Sequence, residues 1–169
     1  MLDVPGLRRQ YGEFPLLEKR LDVDAGEWRT WAQWRQRHAY ASGAVVWNAA
    51  GKFLLVRHAK KSPWAGRWGT PGGAAEMGET PEATARREIL EESGLTVEFL
   101  ALDRVNRYTI VHGDGMLRME YVQFEAKEVG GRLRAGGGVV AARWFTAIPK
   151  DTLYREDFEA LVQRGPPNL

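Results

Sequence analysis

Three glutamates, Glu88, Glu91 and Glu92, constrain this chain more than any other feature. They close a segment, residues 73–95, that reads GAAEMGETPEATARREILEESGL. Thr80-Pro81-Glu82 carries the marks of a helix start: a threonine N-cap, proline at the first helical position and acid in the first turn. Gly94 supplies the stop. The pattern predicts a helix over residues 81–93, on which the three glutamates, at i, i+3 and i+4, share a face. Like charges packed that closely repel, so the arrangement does not serve helix stability. A divalent cation turns the repulsion into binding, and hard oxygen ligands suit Mg²⁺ or Mn²⁺. Ala83, Ile89 and Leu90 fall away from that face and are expected to pack on a sheet.

Charge along the chain agrees. The net charge is +2, too small to argue for nucleic acid as a partner. Residues 72–95 nevertheless hold six acids against two bases, an acidic patch in a basic chain. Such a patch suits a metal cluster flanked by phosphate-binding groups. A length of 169 residues is that of one domain with a real core. Hydrophobic and charged contents of 44% and 27% are those of an ordinary globular protein. No apolar run approaches a membrane span, and the first residues lack the apolar stretch of a secretory signal. The absence of cysteine excludes disulfides, thiolate metal sites and cysteine nucleophiles. A cytoplasmic location is expected.

Around the acidic segment, residues 42–48 read as a strand, 48–51 as a turn and 53–58 as the returning strand. Residues 60–67 read as a loop. Strands are expected over 95–108, 116–126 and 139–145, and a closing helix over 151–163. The glycines at 130–131 and 136–138 bracket expected flexible loops. In residues 1–40, Trp28, Trp31 and Trp34 recur every third residue, a spacing that favours helix over strand; packing onto the main domain or a second subunit is their expected use, ahead of a ligand site. Strands with one helix in mid-chain and one at the end suggest a sheet between helices.

The pattern Gly-x5-Glu-x7-Arg-Glu-U-x-Glu-Glu-x-Gly-U, with U aliphatic, is met by Gly73, Glu79, Arg87, Glu88, Ile89, Glu91, Glu92, Gly94 and Leu95. It resembles the signature of the Nudix (MutT-like) hydrolases, and the preceding WGTPGG resembles that family's usual lead-in. The resemblance extends over residues 42–163. It implies an α/β/α sandwich with a mixed sheet, as a domain over residues 41–163 between an N-terminal extension (1–40) and a short tail (164–169).

The resemblance also implies an activity: Mg²⁺-dependent hydrolysis, with Mn²⁺ able to substitute, of a phosphoanhydride in a nucleoside di- or triphosphate or another nucleoside diphosphate derivative. Glu88 and Glu92 are then the main metal ligands, assisted by Glu91 and the carbonyl of Gly72. Glu79 binds a second metal or orients its water, and Arg87 orients carboxylates. Arg57, Arg67 and Trp64 are candidate substrate contacts, with Lys60 and Lys61 beside them. The general base is left between Glu79 and a motif carboxylate, with Glu120 and Glu125 behind them. The acid that many members carry before the strand reading ARWF is replaced here by GGGVVAA.

Marks of particular substrates lie outside the motif and are mostly absent. Ile110 and Val111 stand where ADP-ribose hydrolases place a proline, and Tyr108 lies only near the tyrosine typical of dinucleoside polyphosphate hydrolases. ADP-ribose, nucleotide sugars and dinucleoside polyphosphates stay open as substrate variants. A noncatalytic nucleotide sensor is the alternative, although such modules usually lose motif carboxylates. An isoprenoid diphosphate isomerase is disfavoured by the lack of cysteine. The tryptophan-rich extension would also suit a homodimer.

Overall fold

The computed structural model describes residues 2–59 and 66–167. The acidic segment folds as a helix flanked by strands. In chain order the elements are α1 (Val4–Tyr11), β1 (Leu16–Asp22), α2 (Ala25–Arg37), β2 (Ala41–Trp47), β3 (Phe53–His58), β4 (Trp68–Gly69), β5 (Gly72–Ala74), α3 (Pro81–Ser93), β6 (Leu95–His112), β7 (Gly115–Gly131), β8 (Val139–Phe145) and α4 (Arg155–Arg164).

The strands form one mixed sheet in the order β1-β6-β7-β2-β3-β4, with β5 also paired to β2 and β8 to β3. Its centre is β2, buried along its whole length, which is why it reads as a continuous small-to-apolar run. Alternate residues of β2 enter different cores. Ala44 and Val46 pack with Ala85 and Ile89 of α3 and with Val4 and Leu7 of α1. Val45 and Trp47 pack with Phe158 and Leu161 of α4. A third cluster seats Trp31 of α2 on Tyr108, Ile110 and Met119. The cross-strand register places Met119, Tyr121 and Ala41 on one face with Tyr108 and Asn106. Helices α2 and α4 therefore cover one face and α1 and α3 the other, giving the expected α/β/α sandwich.

Several expectations need correction. Residues 16–22 of the N-terminal segment are a strand of the sheet, parallel to β6 over seven register positions from Leu16↔Val105 to Asp22↔Val111. Gly130 and Gly131 lie inside β7, because the β6–β7 hairpin runs far past the expected strand ends. In the turn of that hairpin Gly113 takes the left-handed φ of +55 that a tight hairpin needs. The closing helix starts at Arg155, and residues 151–154 form a turn in which Tyr154 adopts φ +48. Helix α3 has its expected bounds, capped by the Thr80 hydroxyl accepting from the Ala83 N–H at 3.2 Å and ended by Gly94 at φ +73. Its apolar face, however, is Ala85 and Ile89; Ala83 and Leu90 are exposed. The buried stripe also takes in Glu92, which is 5% exposed. The helix thus presents one of its acids to the core.

Candidate active site

The site is built where α3 crosses the sheet beside β5. One residue subtends about 100° on a helix, so Glu88 and Glu92 project 40° apart, whereas Glu91 falls 60° to the other side of Glu88. Glu92 and Glu88 are accordingly turned inward, and Glu91 stays half exposed at the rim. The expected triad of carboxylate ligands is thus two inward groups and one rim group; among the described residues no three acidic or histidine side chains converge on one point.

Strand β5 meets this pair with two glycines. The Gly72 N–H donates to Glu92 Oε2 at 3.0 Å. A Cβ on Gly73 would stand 2.5 Å from the Glu88 carboxyl carbon, and one on Gly72 would stand 2.7 Å from Gly43 Cα. Only glycine lets backbone and carboxylates approach this closely. Burial pushes the Glu92 carboxyl up to about 8, against the Gly72 N–H and helped by the charges of Glu88 and Glu91. Burial raises Glu88 as well, with Arg87 opposing it.

Arg87 organises the site from below. Its Nη1 donates to Glu88 at 2.7 Å, its Nε and Nη2 hold Glu79 at 2.8 and 3.0 Å, and Nη2 also reaches the Ala74 carbonyl at 3.0 Å. Glu79 further accepts from the Glu76 N–H and the Thr84 hydroxyl, each at 2.9 Å. The Arg87 guanidinium holds the Glu79 carboxyl down to about 2. With four donors on it, Glu79 is held as a strut between the loop before α3 and Arg87. Glu120 and Glu125 are also taken up, Glu120 by Arg107 at 2.9 Å and Glu125 by Arg164 and the Trp47 indole.

Beside the glycines a cavity of about 200 Å³ opens between α2 and α4 on the sheet. Trp31 and Trp34 form one wall and Leu153, Tyr154 and Phe158 the other, over a floor that includes Asn106, Tyr108, Tyr121 and Gln123. Gly72, Gly73 and Ala74 border it, so cavity and carboxylates share β5. Arg57 and Arg67 do not line it. Arg57 donates to the Gly66 carbonyl at 2.8 Å and Arg67 reaches the Thr152 carbonyl at 3.4 Å. Trp64, Lys60 and Lys61 lie outside the described residues.

Asn106 and Tyr121 were not singled out from the sequence, and the tryptophans were expected to serve packing ahead of a ligand site. A signal existed: Asn106 is a polar residue between Val105 and Tyr108 in a strand whose neighbours are buried.

The chain is similar to known proteins. The family model described as NUDIX domain matches residues 37–156. A MutT-like protein of Streptomyces ambofaciens is 32% identical over 109 residues, 64% of this chain and 64% of that protein. The 8-oxo-dGDP phosphatase NUDT18 of Danio rerio is 28% identical over 135 residues, 78% of this chain and 39% of that protein. The chain thus spans less than two thirds of the length of these curated relatives. A crystal structure of a NUDIX hydrolase from Nitrosomonas europaea superposes with a TM-score of 0.63 at 27% identity, covering 76% of this chain and 72% of that one.

Proposed function

Since this chain belongs to the Nudix hydrolase family, we propose that it is a Mg²⁺-dependent enzyme that cleaves a phosphoanhydride bond in a nucleoside di- or triphosphate, or a related nucleoside diphosphate derivative, by attack of water at phosphorus. The observation that carries this reading is the buried Glu92 carboxylate beside Glu88, with one backbone N–H and, among the described residues, no basic side chain on it. A buried carboxylate such as Glu92 is costly in its charged form unless a cation neutralises it, and all-oxygen donors fit a hard divalent ion.

Glu88, Glu92 and the Gly72 carbonyl would hold that ion. Once bound, it screens phosphate charge and lowers the pKa of coordinated water. The chain's own residues do the rest. Arg87 keeps Glu88 in place through its contact at 2.7 Å and anchors itself on Glu79. Glu91, half exposed at the rim, is the motif carboxylate open to accept the proton from the attacking water. The water oxygen bonds to phosphorus, the anhydride P–O bond breaks, and the leaving phosphate or phosphorylated group departs with the bonding pair.

Product analysis tests this directly. The protein is incubated with Mg²⁺ and nucleoside di- and triphosphates, ADP-ribose, nucleotide sugars and dinucleoside polyphosphates. Turnover of one class, absent in Glu92→Gln, supports the reading and names the leaving group. Equal turnover in the variant rejects it.

A further inference from the structure

Asn106 sits in the middle of β6 at 2% exposure, and its Oδ1 has no hydrogen-bond partner. It lies on the floor of the cavity, under Trp31 and Trp34. A buried polar atom left unpaired is destabilising, so a side chain of this kind persists where something else completes it. A carboxamide offers one acceptor and a pair of donors in one plane. Its natural complement is a flat ring edge with a donor beside an acceptor, as nucleobases present. The walls are aromatic and suit the faces of such a ring. The cavity, about 200 Å³, is smaller than pockets that enclose drug-sized ligands. It suits a base rather than a whole nucleotide, and β5 then leaves the phosphates at Glu88 and Glu92.

Resting on the hydrolase reading, we propose that this cavity is the base-recognition subsite, with Asn106 the residue that reads the base edge and Trp31 and Trp34 its wall. The segment matching the family begins at residue 37, whereas Trp31 and Trp34 precede it. Helix α2 is therefore part of the substrate site of this chain and not only a cover for the sheet. Its placement is secured by the Asp24 capping box and by β1, which ties the same segment to β6.

The test uses the full chain, Asn106→Leu and Asn106→Asp, with nucleoside triphosphates of four bases whose bridging anhydride oxygens are replaced by NH. Binding in Mg²⁺ is read by intrinsic tryptophan fluorescence, and turnover of the cleavable counterparts is measured alongside. The wild type is expected to rank the bases over at least about tenfold. Asn106→Leu should flatten that ranking while melting no lower than wild type, because it removes an unpaired polar group. Asn106→Asp, should the leucine variant not fold, is expected to shift the ranking toward bases with donors at that edge. Wild-type binding without base preference, no binding, or a ranking untouched by the substitutions would overturn the proposal. Turnover without base preference would leave the hydrolase reading standing alone. Base-selective binding without turnover would leave the subsite and remove the hydrolase.

Discussion

Gly72 gives its backbone N–H to the buried carboxylate of Glu92 at 3.0 Å, from a position where a side chain would collide with Gly43 and Ser42. Two parts of the motif, the glycine pair and the last glutamate, are thereby one structural unit: β5 exists in order to lie against α3. The contact also leaves Glu92 undercompensated: one neutral donor does not offset its burial, and the carboxyl is pushed up to about 8.

The first prediction concerns Glu92→Gln. The amide oxygen still accepts from Gly72, and the cost of burying an ionisable carboxyl is gone. Thermal melting without metal should show a variant as stable as wild type or more stable, by about 1 kcal/mol or above. Its turnover should fall at least about 100-fold. A variant that is both active and less stable would show that the carboxylate has a structural partner.

The two glycines should separate stability from activity. Gly72→Ala meets backbone, with Gly43 Cα at 2.7 Å and the Ser42 carbonyl at 2.8 Å, and should destabilise by about 1–3 kcal/mol. Gly73→Ala meets the movable carboxylate of Glu88 at 2.5–2.7 Å. It should fold nearly normally and lose turnover. Urea unfolding and steady-state kinetics on both variants check the contrast.

The pH dependence of stability follows from Glu79. Its folded carboxyl is held down to about 2 from an ordinary 4.5, chiefly by Arg87. The unfolded chain then binds a proton that the folded chain refuses, so the stabilisation is complete above about pH 4.5 and is lost as pH falls toward 2. Glu79→Gln should flatten the stability profile across that window. A parallel profile in denaturant titrations at several pH values would reject the assignment.

Removing residues 1–37 should do more than shorten the chain. It strips β1 from the edge of β6 over seven register positions and uncovers Tyr108, Ile110 and Met119. An exposed apolar face beside an open strand edge favours aggregation. Light scattering of the truncated protein should show association, and its nucleotide binding should be lost with the tryptophan wall.

How far the sequence carried depends on whether a feature is local. Helix α3 was readable to the residue, because Thr80, Pro81 and Gly94 act within their own turn. The segregation of its glutamates was not. Helical spacing puts Glu88, Glu91 and Glu92 near one another, but only the position of β5 decides that Glu92 is buried and Glu91 is at the rim. The hold on Glu79 was not legible either, because its partners, Arg87 and Thr84, meet it only when the loop before α3 folds back. The edge strand β1 escaped notice for a related reason: its alternation, Leu-Leu-Glu-Lys-Arg-Leu-Asp, is half exposed and weakly patterned. The cavity is assembled from α2, β6, β7 and the turn before α4, far apart in the chain, and no local rule brings them together.

The central claim is that water attacks a nucleotide phosphorus under the control of Glu88 and Glu92. Its most direct test is Mg²⁺-dependent turnover in ¹⁸O-labelled water, with mass spectrometry of both products, in wild type and Glu92→Gln. One labelled oxygen is expected on a single phosphorus-containing product of the wild type, and no labelled product above background in the variant. Label appearing at equal rates in both proteins, or turnover with no label on phosphorus, would contradict it.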